Sequence, residues 1–371
     1  MVAALITIGP TQYLPIPARH QHIHVDLGTH PSSQGGFRIT VEHESGKISH
    51  AELEIGYVHR SAEKLFEVRD YRQILMLANR HDWVSPFGSE LSVALAAESA
   101  LGMVPTERAT WQRMVFAEAG RISGSLAYLS FLDPTMLGLR ERWLTWQEQA
   151  VGTRVHPMVN RIGGLSIALN DSLLRQAAEL AHISVDVTSG LVIGADLQGV
   201  APVGGADVVE FAASGPVAQA SGVNADTRQQ SPYLFYSQVP DELTRAAPTH
   251  AISGDAAARF DAMRGGISQS AAMIEVAAGN AIECSAQAIS LKLPKTLRLP
   301  KGMHYAEVEN VTGRHGAFIV SDGDKVPWRL KLRTPSFAHA QLLERALVGT
   351  HLDQMPAALA SFFLVSGDID R

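Results

Sequence analysis

Cysteine is nearly absent. Cys284 is the single thiol among 371 residues. One thiol forms no intrachain disulfide and holds no thiolate-ligated iron–sulfur cluster by itself. Its scarcity fits a reducing cytoplasm. Charge is not strongly one-sided either. The net charge is −6, which attracts no polyanion, so a nucleic-acid role is not expected. Long apolar runs are missing too. A bilayer-spanning helix needs ~20 apolar residues. The longest candidates, residues 356–365 and 191–195, fall short and read as core segments. Residues 1–10 are apolar but lack a basic leader, so no signal peptide is expected. Any membrane association therefore goes through a partner. The Gly- and Ala-rich stretch 190–222 lacks the strand–turn–helix context of a dinucleotide loop. A self-contained enzyme site of the Ser-His-Asp or dense metal-ligand kind is not apparent.

What is present is a globular composition, 46% hydrophobic and 18% charged. Residues 1–28 read as irregular, with three early prolines and then His20, His22 and His24 at alternate positions. On a strand those imidazoles share a face, which suits either a metal or a plain polar surface. No cysteine completes a ligand set, and Asp26 is the only nearby carboxylate, so no metal is assigned. Residues 37–44 alternate (Phe37, Ile39, Val41) and predict a strand, with a turn at Ser45-Gly46-Lys47 and a return strand over 48–55. From 62 to about 151 the spacing is helical. Leu91, Leu95 and Leu101 mark one helix that stops at Gly102. Pro105 opens a second through Ile122, and 139–151 is a third. Gly120, Ser123, Gly124 and Ser125 predict a close approach by another helix. Helices are also expected over 170–181, 256–278 and 338–347, and strands over 305–311, 316–320 and 328–333. The order β, long α, β predicts an α+β fold built on a helical bundle.

The densest chemistry lies at 56–86. His59, Arg60, Glu63 and Lys64 crowd about one and a half helical turns beside Ile55, Leu65 and Phe66. That density predicts a partly buried charged site. Its alternative is a helix-face pair of Arg60 with Glu63 or Glu67. Upstream, the segment His30-Pro31-Ser-Ser-Gln34-Gly-Gly displays Gln34 on a rigid loop, which suits a ligand or an ordinary turn.

These segments resemble the D-type subunits of respiratory complex I, the proton-pumping NADH:quinone oxidoreductase, a family related to nickel–iron hydrogenase large subunits. The family's loop reads His-Pro-Ser-Thr-His-Gly, and its second histidine donates to a quinone carbonyl. Gln34 stands there and still donates, but it supplies no proton. The family's Arg-Leu-Asp-Tyr-Val-Ser-Pro is matched by Arg80-His-Asp-Trp-Val-Ser-Pro86, so Trp83 replaces the quinone-binding tyrosine. Asp133 is the candidate for the aspartate that pairs with the chamber histidine. Val155-His156-Pro-Met-Val-Asn-Arg161-Ile-Gly-Gly, the 215–228 segment, Lys331-Leu-Arg-Thr-Pro-Ser-Phe337 and Asp368-Ile-Asp-Arg371 extend the match over 28–371.

The resemblance implies a hydrogenase-large-subunit-like α+β fold. A central helical bundle is flanked by an N-terminal β-hairpin and a C-terminal β-containing segment. The corresponding division is an N-terminal extension and β region over 1–60, a helical core over 61–300, and a β/α segment over 301–371 packing back on the core. It implies a peripheral-arm subunit that binds no cofactor alone and forms a quinone cavity beside the terminal iron–sulfur cluster of a small partner subunit. Other peripheral-arm subunits and membrane subunits complete the complex, which uses NAD and couples quinone reduction to proton translocation. The chain would lie at the cytoplasmic face of the membrane, with no transmembrane segment. Gln34 and Trp83 would line the cavity, Arg60 and His156 would face the partner's cluster, and His81, Asp82 and Asp133 would carry protons. The four hydrogenase cysteines correspond to Asp82, Ser85, Val365 and Asp368, so no soft thiolate cage is expected. Asp82 and Asp368 are expected to share protons if they meet in space. The changed pair Gln34 and Trp83 favours a second reading, a non-catalytic structural paralogue in a hydrogenase-related membrane complex.

Overall fold

The structure, a computed structural model, describes residues 4–7, 22–26, 36–244 and 252–371. Strands β1 (Ala4–Thr7), β2 (His22–Asp26), β3 (Arg38–Glu44) and β4 (Lys47–Glu54) form one sheet in that order. β3 and β4 make the expected hairpin. Ser45 and Gly46 both have positive φ, the backbone of the two-residue turn that matches strand twist. Phe37, Ile39 and Val41 are buried, as the alternation requires. The irregular reading of the N-terminal residues is corrected by β1 and β2. β2 runs antiparallel to β3 through Ile23↔Val41 and Val25↔Ile39, and β1 adds parallel to it. The two-residue spacing of Ile23 and Val25 was the available signal; the surrounding prolines obscured it.

The helices are α1 (Ala62–Phe66), α2 (Tyr71–Ala78), α3 (Pro86–Leu101), α4 (Glu107–Leu129) and α5 (Met136–Val151), followed by the short strands β5 (Asn160–Arg161) and β6 (Gly164–Leu165). After α6 (Asp171–Ser189) come four short helices, α7 (Gly205–Glu210), α8 (Gly215–Ala220), α9 (Thr227–Gln230) and α10 (Asp241–Thr244), and then the long α11 (Ala256–Glu283). α3 stops at the expected Gly102 (φ 61°), and α5 ends at Gly152 (φ 80°). Thr106, Asn170 and Asp255 cap α4, α6 and α11 through their side-chain oxygens. α4 and α11 pack along each other at the centre, with α5 against α4 and α6 against both. No helix among the described residues is long and apolar enough to cross a membrane.

The small residues of α4 serve a different neighbour from the one predicted. A Cβ at Gly120 would lie 3.2 Å from Ser85 Oγ, and one at Gly124 would lie 3.1 Å from both Val84 and Val311. They admit a turn and a strand end, not another helix.

A second sheet, β7 (Gly302–Asn310), β8 (Gly313–Ser321) and β9 (Arg329–Arg333), lies on α3. Helix α12 (Pro335–Leu347) packs on β4, and α13 (Met355–Ser361) and α14 (Ser366–Ile369) end the chain. Phe362, Phe363, Leu364 and Val365 are completely buried. The chain end is clasped to the N-terminal hairpin. The Asp370 carboxylate accepts from Gly56 N (2.7 Å) and Val58 N (2.9 Å). The architecture is thus α+β with a central helical bundle between two sheets.

Candidate functional site

Pro86 occupies the first turn of α3, where its missing N–H costs nothing. The chain before it, 79–85, is folded by Asp82. Its Oδ1 accepts from Val84 N (3.0 Å) and Ser85 N (2.9 Å), as an Asx turn does. Its Oδ2 accepts from Asn310 Nδ2 (2.7 Å), and the same amide donates to Ser85 O (2.9 Å). Gly88 makes room for that amide: a Cβ there would fall 2.8 Å from Asn310 Cγ. Asp82 is fully buried, and burial pushes its carboxyl above the ordinary range against the pull of its backbone hydrogen bonds.

The C-terminal turn meets this loop. A Cβ on Gly367 would lie 2.3 Å from Trp83 Cζ3 and 2.4 Å from His81 O, so only glycine lets the two segments touch. Asp368, next in sequence, is completely buried, and its carboxyl is pushed far up by burial and then by the Asp82 charge. Its Oδ1 lies 3.9 Å from His315 Nε2 and has no hydrogen-bond partner among the described residues; its Oδ2 lies 3.5 Å from Ser336 Oγ. His315 is held to about 3 by burial, and His81 to about 4 by burial despite its hydrogen bond to the Gly367 backbone. His81 Nε2 is buried without a partner among the described residues. Tyr128 OH donates to Phe363 O (3.2 Å), and burial and the two aspartates keep the phenol protonated. The segments that carry Asp82 and Asp368 therefore touch, and each carboxyl lies within reach of the other's charge, beside two neutral imidazoles. Trp83 is half-buried at the edge of the cluster.

The other predicted residues are placed differently. Of the crowded quartet, only Glu63 is buried; Arg60 and Lys64 are exposed. The amphipathic turn of α1 points one carboxylate inward. Glu63 accepts from Leu332 N (3.0 Å) and Arg329 (2.9 Å) and lies 3.4 Å from Arg371. Among the described residues Arg60 has no ion-pair partner, so its predicted alternative pairing with Glu63 or Glu67 does not form. His156 is half-buried, and burial and then Arg80 lower its pKa against its hydrogen bond to the Asn79 backbone. His156 and Arg80 therefore share one face. Asp133 is engaged locally, accepting from Thr135 N (2.9 Å) at the start of α5. No described hydrogen bond joins Asp133 to His81, Asp82 or Trp83. Gln34 and His20 lie outside the described residues.

Sequence reasoning missed Glu90, Asn310, His315 and Tyr128. Glu90 accepts from Met158 N (2.7 Å), Val159 N (3.1 Å) and Asn160 N (3.0 Å), and burial pushes it up to about 7. It ties the His156 segment to α3. The available signal was a carboxylate set among small and apolar residues of a helix whose second carboxylate, Glu98, is buried too.

Among the described residues no three His, Cys, Asp or Glu side chains converge on a possible metal position. The hydrogenase metal pair does not fit here. Asp82 is committed to three N–H donors, Val365 offers no ligand atom, and the single thiol, Cys284, lies by Glu107 (3.6 Å) instead.

Residues 134–371 match the family described as the respiratory-chain NADH dehydrogenase 49 Kd subunit. A D-type subunit of NADH-quinone oxidoreductase from Streptomyces griseus is 39% identical over 359 residues, covering 92% of this chain and 90% of that protein. Its counterpart from Carboxydothermus hydrogenoformans is 32% identical over 369 residues, covering 94% and 99%. Among solved structures, a chain of an archaeal membrane-bound sulfane sulfur reductase, a respiratory membrane complex, superposes with a TM-score of 0.85 at 27% identity, covering 96% of this chain and all of that one.

Proposed function

This chain belongs to the 49 kDa subunit family of respiratory-chain NADH dehydrogenase, and we propose that it forms the quinone cavity of a complex I-type oxidoreductase. The observation that carries this reading is the meeting of two distant segments. The loop 80–83 and the turn 367–368 bring Asp82, Asp368, His81 and His315 into one buried cluster with Trp83 at its edge. A quinone takes up two electrons and two protons on becoming a quinol. The electrons arrive from the iron–sulfur cluster of the small partner subunit. This chain positions the acceptor and supplies protons.

Residue roles follow from chemistry. Trp83 gives an apolar face and one indole donor, and Gln34 gives an amide donor. Neither releases a proton, so protons come from the carboxyl–imidazole cluster through His81 and Asp82. Arg60, exposed, and His156, on the face shared with Arg80, turn toward the partner's cluster, where positive or donor groups raise its potential. Asp133 acts as a turn cap. Reduction is coupled to proton translocation by movements of the cavity loops. The chain sits peripherally at the cytoplasmic face, beside membrane subunits.

The test is purification with partner subunits, followed by a quinone titration. Saturable, quinone-dependent oxidation of the reduced complex supports the reading. A complex that keeps its clusters reducible yet shows no quinone-dependent turnover overturns it.

One observation favours the second reading, a non-catalytic paralogue in a hydrogenase-related membrane complex. The Trp83 ring lies so close to Gly367 that no methyl group fits between them. If the indole keeps that place when quinone is added, the headgroup has no seat there and the scaffold role stands.

A further inference from the structure

Two buried carboxyls within reach of each other's charge cannot both be anions in a dry core without compensation. The hydrogen bonds show which one is charged. Asp82 receives three N–H donors, from Val84, Ser85 and Asn310, spread over both oxygens. N–H groups only donate, so this carboxyl accepts at every contact, as a carboxylate does. Asp368 receives no N–H donor among the described residues. Its Oδ2 meets a hydroxyl, Ser336 Oγ, and its Oδ1 meets nothing but the His315 ring edge at 3.9 Å.

The tautomer of His315 follows from its serines. Ser92 Oγ donates to Ser89 O (3.0 Å), which leaves it only lone pairs for His315 Nδ1 at 3.4 Å. Nδ1 therefore carries the proton, and Nε2 is bare. Bare Nε2 is the atom that faces Ser89 Oγ (3.2 Å) and Asp368 Oδ1. Nε2 takes the Ser89 hydroxyl proton, so at 3.9 Å Asp368 Oδ1 faces a neutral ring edge that offers it no N–H, and nothing there stabilises a carboxylate.

We propose that Asp368, which receives no N–H donor among the described residues, is the protonated acid of this site, and that it stands behind the Asp82 carboxylate as the group that reprotonates it. The step moves one proton from the Asp368 carboxyl to the Asp82 carboxylate, and no electron is transferred. Around Asp368, burial and Asp82 favour the acid, whereas Arg371 and Arg333 favour the anion. Among the described residues neither arginine forms an ion pair with it. Arg371 lies by Glu63 (3.4 Å), and Arg333 donates to Ala212 O (2.8 Å). His81 and His315 are neutral and add no charge.

As a proton source for quinone, Asp368 rests on the reading above; as the protonated member of the pair, it does not. The test is infrared spectroscopy of the purified complex with isotope-labelled aspartate in this chain. At neutral pH an aspartic-acid carbonyl band is expected. It shifts in heavy water and vanishes in Asp368→Asn. A band that survives in Asp368→Asn overturns the assignment. If Asp368→Asn does not assemble, the wild-type complex still decides: a band present at neutral pH supports the proposal, and no such band overturns it. Loss of quinone turnover without change in the band bears on the quinone reading alone.

Discussion

Two buried polar clusters lie side by side in the core and are built by opposite rules. In the first, Arg228 bonds Glu118 (3.1 Å) and Asp226 (2.7 Å), and all three are completely buried. Burial pushes both carboxyls up, but the Arg228 charge outweighs it and holds them below the usual range. Ser270 adds a donor to Glu118 at 2.6 Å. In the second, Asp82 and Asp368 share one site with two imidazoles, and no arginine among the described residues is ion-paired to either. Their carboxyls go up. The two clusters share a wall, because Asn310 gives its amide to Asp82 (2.7 Å) and its carbonyl to Arg121 (2.7 Å), which also lies 3.3 Å from Glu118. A fixed charge is secured by pairing it with a guanidinium that does not deprotonate. A movable proton is secured by withholding that partner. The first arrangement holds the bundle to α9; the second is the one to which we assign the proton supply.

The contrast breaks most visibly at its fixed end. Arg228→Met leaves Asp226 buried without an ion-pair partner among the described residues and Glu118 with Arg121 alone, a loss of ~3–5 kcal/mol in chemical unfolding of the purified chain. A loss under ~1 kcal/mol would mean the cluster is wetter than its burial shows. Next comes the acid limb. His315 and His81 stay neutral in the fold down to about 3 and about 4, while the unfolded chain protonates them below ~6.5. Stability is then lost as pH falls through that window, by ~1.4 kcal/mol per pH unit for each histidine. His315→Asn should remove one histidine's share of that slope, and an unchanged slope would place the imidazole in water. Replacing the movable acid is gentler. Asp368→Asn keeps shape and neutrality, so unfolding should shift by less than ~1 kcal/mol. A shift as large as that of Arg228→Met would make Asp368 a fixed charge and erase the contrast. The smallest effect belongs to Arg60→Ala. With a guanidinium that is exposed and unpaired among the described residues, stability should stay within ~0.5 kcal/mol, while the potential of the partner's cluster should fall in the assembled complex.

Local patterns were legible in the sequence. Phe37, Ile39 and Val41 announced the hairpin, Gly102 the stop of α3, and Pro105 the opening of α4. Asp82 and His81 stood out because they sit close to Pro86 in a family-like segment. The partners of Asp82 did not. Asn310 is 228 residues away, and His315 is one polar residue in a strand that otherwise reads as sheet. Such contacts are set by how β7 and β8 lie on α3, which no local spacing encodes. Glycine carried the hidden signal. Gly88 and Gly367 mark where a backbone had to admit Asn310 and Trp83, but a glycine in sequence does not say what approaches it. The charged quartet at 59–64 misleads for the converse reason. Density in sequence does not imply burial, because α1 is only five residues long and turns one carboxylate inward.

The most direct measurement is the rate of quinone reduction by the assembled complex carrying Asp82→Asn, at neutral pH and with partner clusters intact. An amide keeps the shape of the side chain but neither holds nor passes a proton, so the rate should fall by ~10²-fold while the clusters still reduce. A variant that reduces quinone as fast as the wild-type complex would contradict a proton supply running through this buried pair.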